Sequence, residues 1–322
     1  MEIDKSNMLK AIEDFPYQCK NAIAIARNSQ VSGKFNKIVI LGMGGSAVGG
    51  DILKILMHNS KIPVFTVRDY KIPEFVDQNT LVFAVSYSGN TEETLSAYEG
   101  AVKKKAKIVA ITSGGILSEK AKQIIRIPKG LQPRAALGYV FFPVLKTLAN
   151  SGIAELKESD INEMSKILLA KNQFKSFGKS TAKKIGDKTT IIYASDLFGP
   201  VAYRWKTQIN ENGKSAAYTH LFSEMNHNEI VGYETMKRND FFAVIIKDKS
   251  YHTQVNKRIK LTSQTIKSKI GMEEVETKGN SLLARVFSGV YYGDFVSYYI
   301  AINKKIDPTP VDVIEKLKKR LK

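Results

Sequence analysis

The chain has 322 residues, 43% hydrophobic and 25% charged, a composition that builds a core and excludes wholesale disorder. Its length calls for two domains. Lysine and arginine number 49 against 31 aspartates and glutamates, a formal net charge of +18 that favours anionic partners, while a lone cysteine, Cys19, excludes an internal disulfide and a cysteine-built zinc site.

The first residues, Met1 to Lys5, lack a basic region followed by an apolar one, so no secretory signal is expected and the protein reads as cytoplasmic. Residues 1–36 read as polar helix. Lys37–Leu41 (KIVIL) is a short buried-type strand followed at once by glycines, and Asp51–Asn59 reads as helix. Val64–Val67, Leu81–Val85, Ile108–Ile111 and Ile124–Ile127 are further short β-type runs with helical patterns between several of them. Arg134–Asn150 reads as a long apolar helix, bent or interrupted at Pro143. Ser151-Gly152 closes it and sets a domain boundary, giving 1–152 and 153–322. Beyond it Thr189–Tyr193 and Phe241–Ile246 read as strands, and Met272–Thr277 as a further one. Helical sequence follows Ser195 to about Asn212 and recurs at 251–268, 280–303 and Pro310–Leu321.

This alternation predicts an α/β fold with parallel sheets flanked by helices in three α/β/α layers. The most apolar stretch, Val290–Ile302, is broken by Gly293 and Asp294, so no membrane span is expected. The basic runs Lys103–Lys105 with Lys107, Lys304–Lys305 and Lys318–Arg320 carry no interleaved aromatics. They predict solvated helix faces and ends, and nucleic acid is not an expected partner.

Gly42-Met43-Gly44-Gly45-Ser46-Ala47 lies between a predicted strand and a predicted helix. Glycines there let the backbone turn and approach a ligand closely, and a helix N-terminus offers N–H groups and partial positive charge to an anion. Gly42-x-Gly44-x-x-Ala47 also fits the dinucleotide fingerprint, with Asp69 at a distance suited to a ribose. Alone, this loop cannot choose between a sugar phosphate and a dinucleotide, and an NAD-linked dehydrogenase stays open.

After the strand Leu81–Val85 comes Ser86-Tyr87-Ser88-Gly89-Asn90-Thr91-Glu92-Glu93-Thr94. Thr91 or Asn90 is expected to cap the following helix. A capped helix does not need three hydroxyls, whereas Ser86, Ser88 and Thr91 around one N-terminus can ring a phosphate. With Gly44-Gly45-Ser46 upstream, this block resembles the sugar isomerase (SIS) domain family, in which such loops hold the phosphate of a phosphosugar.

In the second half Gln208-Ile209-Asn210-Glu211-Asn212-Gly213-Lys214 closes a helix, and a glutamate there is by itself an ordinary solvated residue. Asn226-His227-Asn228-Glu229 is dense in amides and carboxylate, as in a capped turn or a site. The four histidines, His58, His220, His227 and His252, make no i, i+4 metal pair. Taken together, Glu211, the stretch 226–229, Pro133-Arg134 and Asp307-Pro308-Thr309-Pro310-Val311 with Lys316 are similar to the archaeal bifunctional phosphoglucose/phosphomannose isomerases, over nearly the whole chain.

That resemblance implies two SIS subdomains in a homodimer with shared sites, acting on phosphorylated hexoses without metal or redox cofactor. It assigns proton transfer between C1 and C2 to Glu211, ring opening to a partner-supplied His227, a place near the ring oxygen to Lys316 and enediolate stabilisation to Arg134. Gly45, Ser46, Ser86, Ser88 and Thr91 would bind the phosphosugar, and Thr309 stands where conventional glucose isomerases carry a bulkier glutamine. Gly213 in place of alanine and Ser223 in place of proline depart from the pattern. Another SIS phosphosugar-binding protein is the remaining alternative.

Overall fold

A computed structural model describes residues 3–237 and 239–321. The chain divides into two compact units. The N-terminal unit is Asp14–Ser165 with Ser281–Leu283; the C-terminal unit is Met1–Glu13, Lys166–Asn280 and Ala284–Lys322.

Helix α1 (Met8–Glu13) precedes the N-terminal unit, which opens on α2 (Phe15–Ile25). Residues 26–36, expected as helix, are turns, bends and irregular chain instead. Strand β1 (Lys37–Leu41) follows, then α3 (Gly44–Leu56), β2 (Val64–Val67), β3 (Thr80–Val85), α4 (Glu92–Lys103), β4 (Lys107–Thr112), α5 (Gly115–Lys120) and β5 (Ile124–Arg126). Helix α3 starts inside the glycine loop, seven residues before Asp51, because Gly45, Ser46 and Ala47 are small enough to wind immediately after the strand. A 3-10 turn (Pro133–Ala135) leads into α6 (Leu137–Asn150), whose range runs unbroken through Pro143.

The sheet is parallel throughout, in the order β2-β1-β3-β4-β5. Val39 is level with Phe65 on one side and Val82 on the other. Successive strand residues point to opposite faces, and both faces are covered. Val39, Leu41, Val82, Ala84 and Ala110 pack against Ala97, Tyr98 and Ala101 of α4, whereas Ile40 abuts Gly50 of α3 on the other face. Strands buried on both faces read as the unbroken apolar runs of the sequence.

The C-terminal unit holds the end of α7 (Glu158–Leu169) beyond Ser165, then α8 (Asn172–Ile185), β6 (Thr189–Ala194), α9 (Gly199–Glu211), β7 (Ala217–Leu221), α10 (Phe222–Met225), β8 (Phe241–Lys247), α11 (Thr253–Lys269), β9 (Gly271–Glu276), most of α12 (Leu282–Asn303) and α13 (Asp312–Arg320). Its sheet has the order β7-β6-β8-β9 and is again parallel. This repeats the first four positions of the other sheet. Helix α9 opens with Pro200 in its first turn. α13 places Asp312 and Glu315 in its first turn and Lys318, Lys319 and Arg320 in its last, matching the helix dipole. Among the described residues no helix is long and apolar enough to cross a membrane.

Candidate active site

In the N-terminal unit β1 and β3 are neighbours, and the chain leaves them in opposite directions across the sheet, toward β2 and toward β4. That is a topological switch point, where open α/β sheets bind ligands at the carboxyl ends of the strands. The Gly42–Ser46 loop follows β1 and the Ser86–Thr91 loop follows β3.

Both loops run into helices without a side-chain cap. Met43 sits at the N-cap of α3 and Thr91 at the N-cap of α4, and neither side chain bonds a helix N–H. The expected capping by Thr91 or Asn90 does not occur. Thr91 Oγ1 lies 2.9 Å from Ser86 Oγ instead, and Asn90 Oδ1 accepts from the Ile116 N–H at 3.0 Å. The first turns of two neighbouring helices therefore lack a side-chain cap, an arrangement that suits an anion, although in α3 the Ser46 N–H turns back to the Met43 carbonyl at 3.1 Å.

The hydroxyls are oriented by the backbone. Ser46 Oγ accepts the Tyr87 N–H at 3.3 Å, joining the two loops. Ser86 Oγ accepts the Gly89 N–H at 3.1 Å and Ser88 Oγ the Asn90 N–H at 3.2 Å. N–H donors thus engage a lone pair on each of these three serines; the Ser86–Thr91 contact uses one hydroxyl hydrogen of that pair, and the others remain to donate. Ser46 and Ser86 are buried and Ser88 is exposed.

Arg134 is only 3% exposed on its 3-10 turn, which packs on Gly45. Gln18 of α2 clamps the turn from behind: its Nε2 donates to the Ala135 carbonyl at 2.9 Å and its Oε1 accepts the Gly138 N–H at 2.6 Å. Tyr87 holds the approach to it, donating to the Pro128 carbonyl and accepting from the Leu131 N–H, each at 2.9 Å. Burial pushes the Tyr87 phenol upward, against the opposing Leu131 hydrogen bond, so it stays neutral. Gln18 and Tyr87 escaped the sequence reading; a tyrosine between two loop serines was the one available signal.

In the C-terminal unit Glu211 is the last residue of α9 and half-buried. Arg204 and Gln208 on the same stripe both bind the buried Asp294 of α12, and Asn212 Nδ2 donates to Ser297 Oγ at 3.1 Å. A Cβ on Gly213 would meet the Ile209 carbonyl at 2.7 Å, so the glycine fits the helix end where alanine was expected. Lys214, in the left-handed region at φ +49, donates from Nζ to the carbonyls of Glu211 and, at 3.0 Å, of Pro308. This lysine, missed in the sequence, ties the end of α9 to the loop of Thr309, a buried residue whose N–H donates to Asp307 Oδ1 at 2.9 Å. His227 is exposed at the apex of the loop between α10 and the 3-10 helix Glu229–Glu234. Lys316 is exposed on α13.

The corresponding switch point of the C-terminal sheet, after β6 and β8, is built differently. The Asp248 side chain is fully buried there, with Arg285 Nε at 3.0 Å and the hydroxyls of Ser250 and Thr277 donating to it. Among the described residues no group of three or more His, Cys, Asp or Glu side chains is arranged to hold a metal ion.

Comparison with known proteins adds family identity to this geometry. Residues 34–144 match the SIS domain, and residues 174–321 the bacterial phospho-glucose isomerase C-terminal SIS domain. A bifunctional phosphoglucose/phosphomannose isomerase of Caldicellulosiruptor bescii is 44% identical, covering 98% of this chain and 98% of its own. A D-glucosamine-6-phosphate 4-epimerase of Sulfolobus acidocaldarius is 36% identical over 69% of this chain and 72% of its own. The C-terminal domain of a glucosamine-fructose-6-phosphate aminotransferase from Francisella tularensis shares the fold, with a TM-score of 0.74, 17% identity, and coverage of 94% of this chain and 98% of that one. With two parallel sheets, two SIS domains and near full-length similarity, the chain belongs to the bifunctional phosphoglucose/phosphomannose isomerases of the SIS domain family.

Proposed function

We propose that the protein interconverts glucose 6-phosphate or mannose 6-phosphate with fructose 6-phosphate through a cis-enediolate. The observation that carries this reading is the pair of uncapped helix N-termini at the β1/β3 switch point, ringed by Ser46, Ser86, Ser88 and Thr91. N–H groups and hydroxyls suit a phosphate dianion, and Gly45 lets the Pro133–Ala135 turn seat against the loop.

Isomerisation moves a weakly acidic proton between adjacent carbons. Glu211 takes it from one carbon and returns it to the next. Negative charge grows on the enediolate oxygen, and the Arg134 guanidinium, fixed by its clamped turn, stabilises that charge more in the transition state than in the substrate. His227 and Lys316 serve ring opening, a proton transfer that suits an imidazole near neutral pH. Thr309, smaller than glutamine, leaves room for either configuration at C2. The working form is a homodimer in which His227 comes from the partner subunit.

The test is a single reaction with fructose 6-phosphate and full product analysis. Glucose 6-phosphate and mannose 6-phosphate should both form; a product inverted at C4 would overturn the reading. Glu211→Gln should lose on the order of 100-fold or more in turnover while phosphosugar binding is kept, and an active Glu211→Gln protein would remove the base from the mechanism.

A further inference from the structure

The loop that presents His227 is pinned on both sides by side chains that no step above uses. Before it, Asn226 Nδ2 donates to Thr262 Oγ1 of α11 at 2.8 Å. After it, Asn228 closes on its own neighbours: Nδ2 donates to Glu224 Oε1 at 2.6 Å and Oδ1 accepts the Glu229 N–H at 2.6 Å. The third anchor is Glu229 itself. Its Oε1 accepts from the Tyr193 hydroxyl of β6, and Tyr193 Oη lies 2.6 Å from Tyr233 Oη. Its other oxygen is 2.9 Å from His220 Nδ1 on β7. Tyr193 and Tyr233 are fully buried. The exposed His227 imidazole thus stands between two residues tied by side-chain hydrogen bonds, which a surface turn does not need.

We propose that Glu229, anchored by Tyr193, and Asn226, anchored by Thr262, are positioning residues that hold His227 where it can open the sugar ring. This rests on the ring-opening role given to His227 above. An imidazole on a loose loop spends most of its time out of reach, and a misplacement of about 1 Å costs on the order of 100-fold in rate. The anchors remove that search without touching substrate. Their effect is therefore confined to the step His227 performs and leaves proton transfer at C1–C2 unaltered.

That confinement gives the test. Fructose 6-phosphate must open its furanose ring before it reacts. The analogue lacking the C5 hydroxyl has no group that can close that ring and enters as the open chain. Tyr193→Phe removes the hydroxyl that binds Glu229 and keeps the buried ring; Thr262→Val removes the acceptor of Asn226 and keeps its shape. Each should lower turnover of fructose 6-phosphate by about tenfold or more, with KM nearly unchanged, and alter turnover of the 5-deoxy analogue by less than about twofold. His227→Ala, run alongside, should show the same split more strongly. Equal losses on both substrates in the anchor variants would make the anchors merely structural and overturn the proposal. Wild-type rates in both anchor variants, with the split kept in His227→Ala, would overturn it while leaving the ring-opening role intact. Wild-type rates in His227→Ala would overturn that role and this proposal with it.

Discussion

Gly45 and Arg134 are in backbone contact: a Cβ built on Gly45 would stand 3.0 Å from Arg134 Cα and 2.9 Å from the Pro133 carbonyl oxygen. Both obstacles are main chain, and neither can rotate away. Gly45→Ala must therefore push the Pro133–Ala135 turn off the glycine loop and move Arg134 with it. The expected result is a fall in kcat/KM of about 10- to 100-fold with a melting temperature close to that of the wild type. Unchanged kinetics would show that Arg134 does not need its present seat.

Helix α9 is fixed by charge. Arg204 and Asp294 are both buried, with Arg204 Nη2 3.1 Å from Asp294 Oδ1, and Gln208 Nε2 donates to the same oxygen at 2.9 Å. Removing one partner strands the other charge in the core. Asp294→Ala should destabilise by about 3–5 kcal/mol, measured by denaturant unfolding. The double replacement Arg204→Met with Asp294→Leu should regain most of that loss, because no lone charge is left. A stability loss that simply adds in the double variant would contradict this account.

The strands β1 and β2 and the phosphate-type loops were legible because their signals are local. KIVIL needs no distant partner to read as buried strand, and Ser86, Ser88 and Thr91 lie within one turn of each other. β7 was missed because its residues alternate between buried and exposed positions at a sheet edge, as Ala217, Tyr218 and His220 do. Helix α8 was missed because its long polar face hides the few buried positions, Phe174, Gly178 and Ile185 among them. The clamp on Arg134 was out of reach for a different reason. Gln18 bonds residues 117 and 120 positions away, and nothing in its local sequence marks that use. Capping was misjudged because Thr91 has two possible partners, and the neighbouring Ser86 hydroxyl took it from the helix.

Alkaline pH should act through the buried phenols. Burial is the chief cause that raises both Tyr193 and Tyr233, the latter to about 12. In the unfolded chain a phenol ionises near its ordinary value of about 10. A folded-state value above that means the native protein binds protons that the unfolded chain releases, so the stabilisation is complete below about pH 10 and is lost as pH rises toward 12. Unfolding free energy should drop across that window in the wild type. Tyr233→Phe should show a shallower drop, and an identical slope in the two proteins would count against the assignment.

The two sheets share the order of their first four strands but differ in what stands at the switch point, and this predicts one phosphate site per chain. After β1 and β3 there are hydroxyls, N–H groups and a buried arginine. After β6 and β8 there is Asp248, whose buried carboxylate already takes Arg285 and two hydroxyls. A phosphate dianion there would have to displace an internal anion and leave Asp248 buried without its cation, a cost of several kcal/mol. The second crevice is thus closed by charge rather than by bulk. Calorimetric titration with a hexose 6-phosphate should give one site per chain, and Ser86→Ala with Ser88→Ala should weaken it by about 100-fold or more, since each charge-assisted hydrogen bond contributes about 1.5–3 kcal/mol. A stoichiometry of two per chain, or a site that survives loss of both serines at full affinity, would place anion binding outside the β1/β3 crevice.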